Sequence, residues 1–297
     1  MSEVRSYYGR PILKEPVWKP EIPLYFFTGG LAGASAVMGL AARAAGNEPL
    51  AKAGTYLSFA GDVVSPALLV ADLGRPERFL NMLRVFKVTS PMSVGSWILA
   101  ASGATSTAAA ACEVLGILPR AKVAAETMSA ILGAPLATYT ATLISDTAVP
   151  VWHEARRELP FVFAGGAAAS AGGAVAALTP AAAAGPARRL AIVGGALELA
   201  ATKAMEDGLG ELVGEPYRKG VAGRLNVAAK AASLGGAALL ASGGRRSRLA
   251  AAVGSLLVLG GELALRWSVF EAGFESARDP KYVVASQRER LGAHAAA

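Results

Sequence analysis

The sequence predicts an all-α integral membrane protein, with eight transmembrane helices arranged as two parallel-repeat four-helix bundles. Three observations carry this expectation: long stretches without charge, a high density of small residues inside them, and short motifs that recur in order at a nearly constant interval. Hydrophobic residues make up 53% of the 297 positions and charged residues 17%, where a soluble domain carries about 25% charged. The charges are also clustered, so that residues 22–42, 88–112, 127–145 and 159–187 contain none. A helix crosses a bilayer with roughly 20 apolar residues. These runs are too long for barrel strands and lack strict alternation. Helices remain as the way to satisfy the backbone in lipid.

Spans are expected at about 22–45, 51–71, 90–117, 123–145, 158–179, 188–207, 223–242 and 248–272. An extramembrane segment at 1–21 precedes a first bundle at 22–145. A second bundle follows at 146–272, then a tail at 273–297. Small-xxx-small pairs such as Gly29 with Gly33, and Gly166 with Ser170, let helix backbones approach closely. The repeat rests on "PVW" at 16–18 and 150–152, on "FFTGG" at 26–30 echoed by "VFAGG" at 162–166, and on Gly-x-Pro-x-Arg at Gly74 and again at Gly214. Four spans separate equivalent motifs, so the halves share one orientation.

With eight spans both termini share a side, and that side carries the longer loops 72–90, 146–157 and 208–222. The thick face suits a docked partner. The short loops are basic, with Arg188, Arg189, Arg245, Arg246 and Arg248. The positive-inside rule therefore places them in the cytoplasm and both termini on the extracytoplasmic side of the plasma membrane. No cleavable signal peptide is expected, because "MSEVRSYYGR" has no apolar core. The net charge of +7 reads as headgroup contact and not as nucleic-acid binding.

The single Cys112 excludes an internal disulfide and a Cys-ligated iron–sulfur cluster. The two histidines, His153 in a charged loop and His294 in the tail, both fall outside the spans. No haem is expected in this chain.

Four places carry chemistry. Gly74 and Pro76 end the second span sharply, leaving Asp72 and Arg75 where bilayer meets water. They either pair to shape a polar pocket or stop the helix and anchor it to headgroups. Tyr139 lies in the fourth span among Thr138, Thr140 and Thr142, with Asp146 at its end. A Tyr hydroxyl in a span needs a helix partner or a ligand. Asp62 lies deeper, where an ionised Asp costs about 2.5–3.5 kcal/mol. It either fixes helix packing or relays protons, and with Asp72, about 15 Å further along the helix, brackets a path to the surface. Glu262 and Arg266 stand four apart and read as a helical ion pair, while Lys230 is a candidate cross-helix partner for Glu198.

The run "PVWKPEIPLYFFTGGLAGASA", then "DLGRPERFLNML" and "YTATLIS", resembles the NrfD/PsrC family, the integral-membrane subunits of polysulfide reductase-like complexes. The resemblance spans essentially the whole chain. It implies a quinone site for menaquinone, a ferredoxin-like iron–sulfur subunit docked on the long-loop face, and a molybdopterin catalytic subunit beyond it. It implies no haem, and no catalysis by this chain alone. Residue by residue, Tyr139 matches the quinone-binding Tyr, Asp72 and Arg75 the loop beside the site, and Trp18 and Tyr25 its aromatic walls. Asp62 and Asp72 are the proton-transfer candidates. Some members carry His or Asn ahead of the first span; this chain has Val17, Lys19 and Glu21 there. From the residues alone, a secondary transporter or channel, and a purely structural anchor, remain open beside the quinone reading.

Overall fold

The computed structural model describes residues 12–244 and 247–284. Arg245, Arg246, His294 and the outer parts of both terminal segments lie outside the described residues. Among those described, eight long helices and one short one carry the fold: α1 (Glu21–Ala44), α2 (Glu48–Asp72), α3 (Pro91–Leu115), α4 (Pro119–Ser145), α5 (Pro150–Glu154), α6 (Leu159–Leu178), α7 (Gly185–Val213), α8 (Gly220–Ser242) and α9 (Arg248–Arg278).

Local sequence sets the helix starts. Proline occupies the first turn of α2, α3, α4, α6 and α7, where its missing N–H costs nothing. The side chains of Asn47, Ser90 and Ser247 accept from the amides of Leu50, Ser93 and Ala250, capping α2, α3 and α9. Gly116, with φ of 65°, closes α3 in the left-handed conformation.

Helices α1 to α4 pack as one ring, with α1 against α2 and α4, and α3 against α2 and α4. Helices α6 to α9 repeat that order of neighbours, and the two rings meet chiefly through α1 and α6. Connections on one face are short. On the other they hold a 3₁₀ segment at Pro76–Leu83, helix α5, and a 3₁₀ turn at Glu215–Tyr217.

Seven of the eight long helices are long and apolar enough to cross a membrane. This differs from the eight expected, and the exception is α7. It carries Arg188, Arg189, Glu198, Lys203, Glu206, Asp207 and Glu211, too many charges for an apolar span.

Backbone contact replaces side-chain packing at several crossings. A Cβ on Gly33 would collide with the Gly133 carbonyl, and one on Gly54 would meet the backbone of Gly39. Gly195 has open space around it. Gly33→Val should therefore lower the melting temperature of the detergent-solubilised protein, at a cost of roughly 1–3 kcal/mol for overpacking. Gly195→Ala, whose added Cβ would meet no neighbour, should leave it unchanged or raise it.

The second Gly-x-Pro-x-Arg motif is held by charge. Glu215 accepts from Lys219 Nζ (2.8 Å), Lys281 Nζ (2.7 Å) and Tyr282 Oη (3.1 Å). Hydrogen bonds from Lys219 and then Lys281 push its carboxyl down to about 2. A depressed pKa stabilises fully above the ordinary glutamate value near 4.3, and this contribution is lost as pH falls through about 2. Amide exchange across 279–284 should accelerate over that window beyond its intrinsic pH dependence. Glu215→Gln should abolish the acid-dependent step.

Candidate functional site at the long-loop face

A cavity of about 700 Å³ opens at the long-loop face of the first ring. One wall is the start of α3 and the residues before it, including Val88, Pro91, Val94 and Ile98. The C-terminal half of α4 forms the second wall with Pro135, Tyr139 and Thr142. His153 of helix α5 and Arg156 just after it close the third side. The walls are mainly apolar, and the polar groups gather on α4 and α5.

Tyr139 is the central group. Its ring lies on Gly95 of α3, where a Cβ would overlap it. Its other side meets Tyr25 edge-on, with centroids 6.4 Å apart. The Tyr139 hydroxyl makes no hydrogen bond to the described residues, although the side chain lines the cavity. Tyr25 is 1% exposed and its hydroxyl also has no partner.

Helix α5 is pinned by Trp152. The buried indole donates to the Val269 carbonyl at 2.7 Å, and its ring occupies the space left by Gly273. Trp18 stacks on it at 5.6 Å. Trp18 thus anchors the segment before α1 and lies behind the cavity, outside its lining. With Trp152 turned inward, the next residue, His153, faces the cavity. His153 Nδ1 lies 3.3 Å from the Ser145 carbonyl. The tautomer that donates there leaves Nε2 available as an acceptor.

Asp72 and Arg75 do not pair with each other among the described residues. Asp72 Oδ1 instead accepts the backbone amide of Lys19 at 2.8 Å, tying the segment before α1 to the end of α2. Arg75 is exposed, and neither residue lines the cavity. The expected pocket wall is therefore built by α3, α4 and α5, while the Asp72 knot fastens the chain beside it.

Asp62 is 3% exposed. Its Oδ2 accepts from Ser102 Oγ at 2.8 Å and Ser106 Oγ at 2.7 Å, and its Oδ1 has no partner. Towards the short-loop face, polar groups continue. Ser58 meets Ser129 at 3.4 Å, and Thr55 donates to Glu126 at 3.0 Å. Glu126 pairs with Arg43, which also binds Glu113 at 3.2 Å. A void of about 10 Å³ between Ser106, Ser58, Ser129 and Glu126 has room for about one water. In the other direction Ser65 meets Thr28 at 2.8 Å, one helical turn from Asp62. The path expected from Asp62 to Asp72 alone thus misses a longer polar column running to the opposite face.

The second ring also differs from the sequence expectation. Arg266 comes within 3.6 Å of Glu198 while still facing Glu262, and Lys230 pairs with Glu206 at 2.6 Å. Glu198, Glu262 and Arg266 converge on Gly166, whose missing side chain makes room for them. Among the described residues, no three His, Cys, Asp or Glu side chains gather as a metal site.

A helical membrane protein with a cavity at one face, Tyr139 at its centre, is the class that fold and site define. The family model described as polysulfide reductase, NrfD_2, matches residues 5–278. The chain belongs to this NrfD/polysulfide reductase family, whose members are membrane subunits of oxidoreductase complexes, and it is a multi-pass membrane protein. No curated protein matches it.

The contact between Asp72 and the Lys19 amide is open to a direct test. Asp72→Ala should release the segment before α1, read as faster tryptic cleavage after Lys14. Asp72→Asn keeps an acceptor for the Lys19 amide and should cleave at the wild-type rate.

Proposed function

We propose that the chain is the quinone-reactive subunit of its complex, with menaquinone or its quinol bound in the long-loop cavity. Electrons pass between it and a docked ferredoxin-like iron–sulfur subunit, which serves a molybdopterin catalytic subunit. The chain holds no haem or cluster and is not catalytic alone. In this reading α7 is the eighth span, the two rings are a parallel repeat, and the short loops face the cytoplasm of a plasma membrane. Both termini are then extracytoplasmic.

The observation that carries the reading is Tyr139: a ring seated on Gly95, with a hydroxyl that makes no hydrogen bond to the described residues, in a largely apolar cavity of about 700 Å³. Small-molecule sites have volumes of roughly 300–1,000 Å³ and a few convergent polar groups. The apolar walls suit a fused aromatic ring, and exposed Phe86, Val88 and Met92 beside them suit a prenyl tail. A bound quinone gains or loses two electrons and two protons at its carbonyl oxygens.

Tyr139 donates a hydrogen bond to one carbonyl. His153 stands across the cavity from α4, within the lining, and can exchange a proton directly or through one water. Tyr25 keeps Tyr139 upright and walls it from the core, and Trp18 holds α5 in place through Trp152. Asp72 and Arg75 act beside the site, where Asp72 exchanges protons with water at the face. Asp62 exchanges protons within the bundle through Ser102 and Ser106, with Ser65 and Thr28 leading towards the cavity.

Equilibrium binding of a soluble naphthoquinone to the purified protein tests this. Tyr139→Phe should weaken binding about fivefold, the loss of one neutral hydrogen bond, and cut quinone-linked turnover of the complex without loss of assembly. Absence of naphthoquinone binding by the wild type would favour the structural-anchor reading, and unchanged turnover in Tyr139→Phe would remove Tyr139 from the site.

A further inference from the structure

A separate cavity of about 340 Å³ lies at the short-loop face, between the end of α6 and the first turns of α7 and α9. Among the described residues no Asp or Glu lines it, and two arginines do, Arg188 and Arg248. Arg188 is buried, and its Nη1 donates to the carbonyls of Ala181 at 3.1 Å and Gly244 at 3.2 Å. This fixes the guanidinium at the cavity wall. Arg248 is exposed and makes no ion pair among the described residues.

The third group is Thr179, at the end of α6. It is 7% exposed and its Oγ1 is buried without a hydrogen-bond partner. An unsatisfied buried hydroxyl costs about 1–3 kcal/mol, so a ligand acceptor there would recover what the protein leaves unmade. The helices α7 and α9 both begin at this cavity, and their N-terminal amides add positive potential. Beside it, Leu178, Val253 and Leu256 are exposed, giving an apolar surface that continues towards the membrane interior. Among the described residues, two guanidinium groups, one donor hydroxyl and no carboxylate call for a compact oxyanion. The adjoining apolar surface suits acyl chains below it, as in basic pockets between transmembrane helices.

We propose that this cavity binds a phosphate group, carried by the headgroup of an anionic phospholipid. The site is remote from the long-loop cavity and does not depend on the quinone reading.

Native mass spectrometry of the full-length protein in detergent tests the proposal, with phosphatidylglycerol, diacylglycerol of the same acyl chains, and inorganic phosphate as probes. The wild type should retain phosphatidylglycerol over diacylglycerol. The Thr179→Val/Arg248→Gln double variant spares the structural bonds of Arg188. It should bind phosphatidylglycerol about tenfold more weakly, as expected for losing a charge-assisted contact, with an unchanged melting temperature in lipid-free detergent. Inorganic phosphate binding as tightly as the lipid, and lost in the same variant, would support the phosphate site and assign it to a soluble anion. Equal retention of phosphatidylglycerol and diacylglycerol, or equal retention by wild type and variant, would overturn it.

Discussion

In a bilayer, helices gain nothing by hiding apolar side chains from one another, so close approach must hold them together. Glycine is how this chain achieves it, and its glycines do two different jobs. At Gly33 against Gly133, and Gly54 against Gly39, they bring backbone to backbone. At Gly95, Gly166 and Gly273 they instead make a seat for a large side chain: Tyr139, the Glu198–Glu262–Arg266 cluster, and Trp152. The second use is the informative one. Space reserved for a phenol, an ion cluster or an indole fixes where each can point, and each seat sits under a polar group that the membrane alone would not tolerate.

The two rings handle buried charge in opposite ways. In the first, Arg43, Lys52 and Lys122 face Glu48, Glu113 and Glu126 at the short-loop end, so charge is balanced where water is close. Only hydroxyls and Asp62 carry polarity further in. In the second ring, Glu198, Glu262 and Arg266 sit together at 0–2% exposure, with one guanidinium facing two carboxyl groups. Its fully buried acids cluster around that one guanidinium, with a second pair, Lys230 with Glu206, nearer the surface, whereas the first ring spreads its polar groups along the bundle.

Much of this was readable in the sequence. Apolar stretches locate the starts of the long helices to within four residues, although α7 and α9 run six residues past the expected ends, and loop lengths separate a thick face from a thin one. Tyr139 stood out because a span rarely spends a hydroxyl without cause. The misses share a reason: they depend on which neighbour a side chain reaches. Arg266 faces Glu262 four residues before it, yet its shortest ion pair crosses to Glu198, a neighbour that Gly166 makes room for and helix spacing does not reveal. Asp72 has Arg75 three residues away, yet takes the Lys19 amide, since a chain entering α1 needs an anchor and an arginine at the water boundary does not. His153 shows nothing in the sequence beyond its place in a charged loop outside the spans. Its signal lay in the preceding Trp152, whose burial turns the next side chain the other way.

The position of the long-loop cavity follows from what fills the equivalent end of the second ring. There Tyr217, Phe270, Phe274 and Trp152 are all buried and packed in one cluster, with Phe270 and Phe274 at 4.7 Å and Trp152 edge-on to Phe274. Four aromatic side chains leave that end solid. At the first ring's end the corresponding volume is bounded by Val94, Ile98, Pro135 and Thr142, all smaller, and Tyr139, backed by Tyr25, lies against Gly95. Two rings with the same order of helix neighbours therefore differ in side-chain bulk at one end. That difference gives the first ring a cavity and the second ring the buttress on which α5, and with it His153, is held.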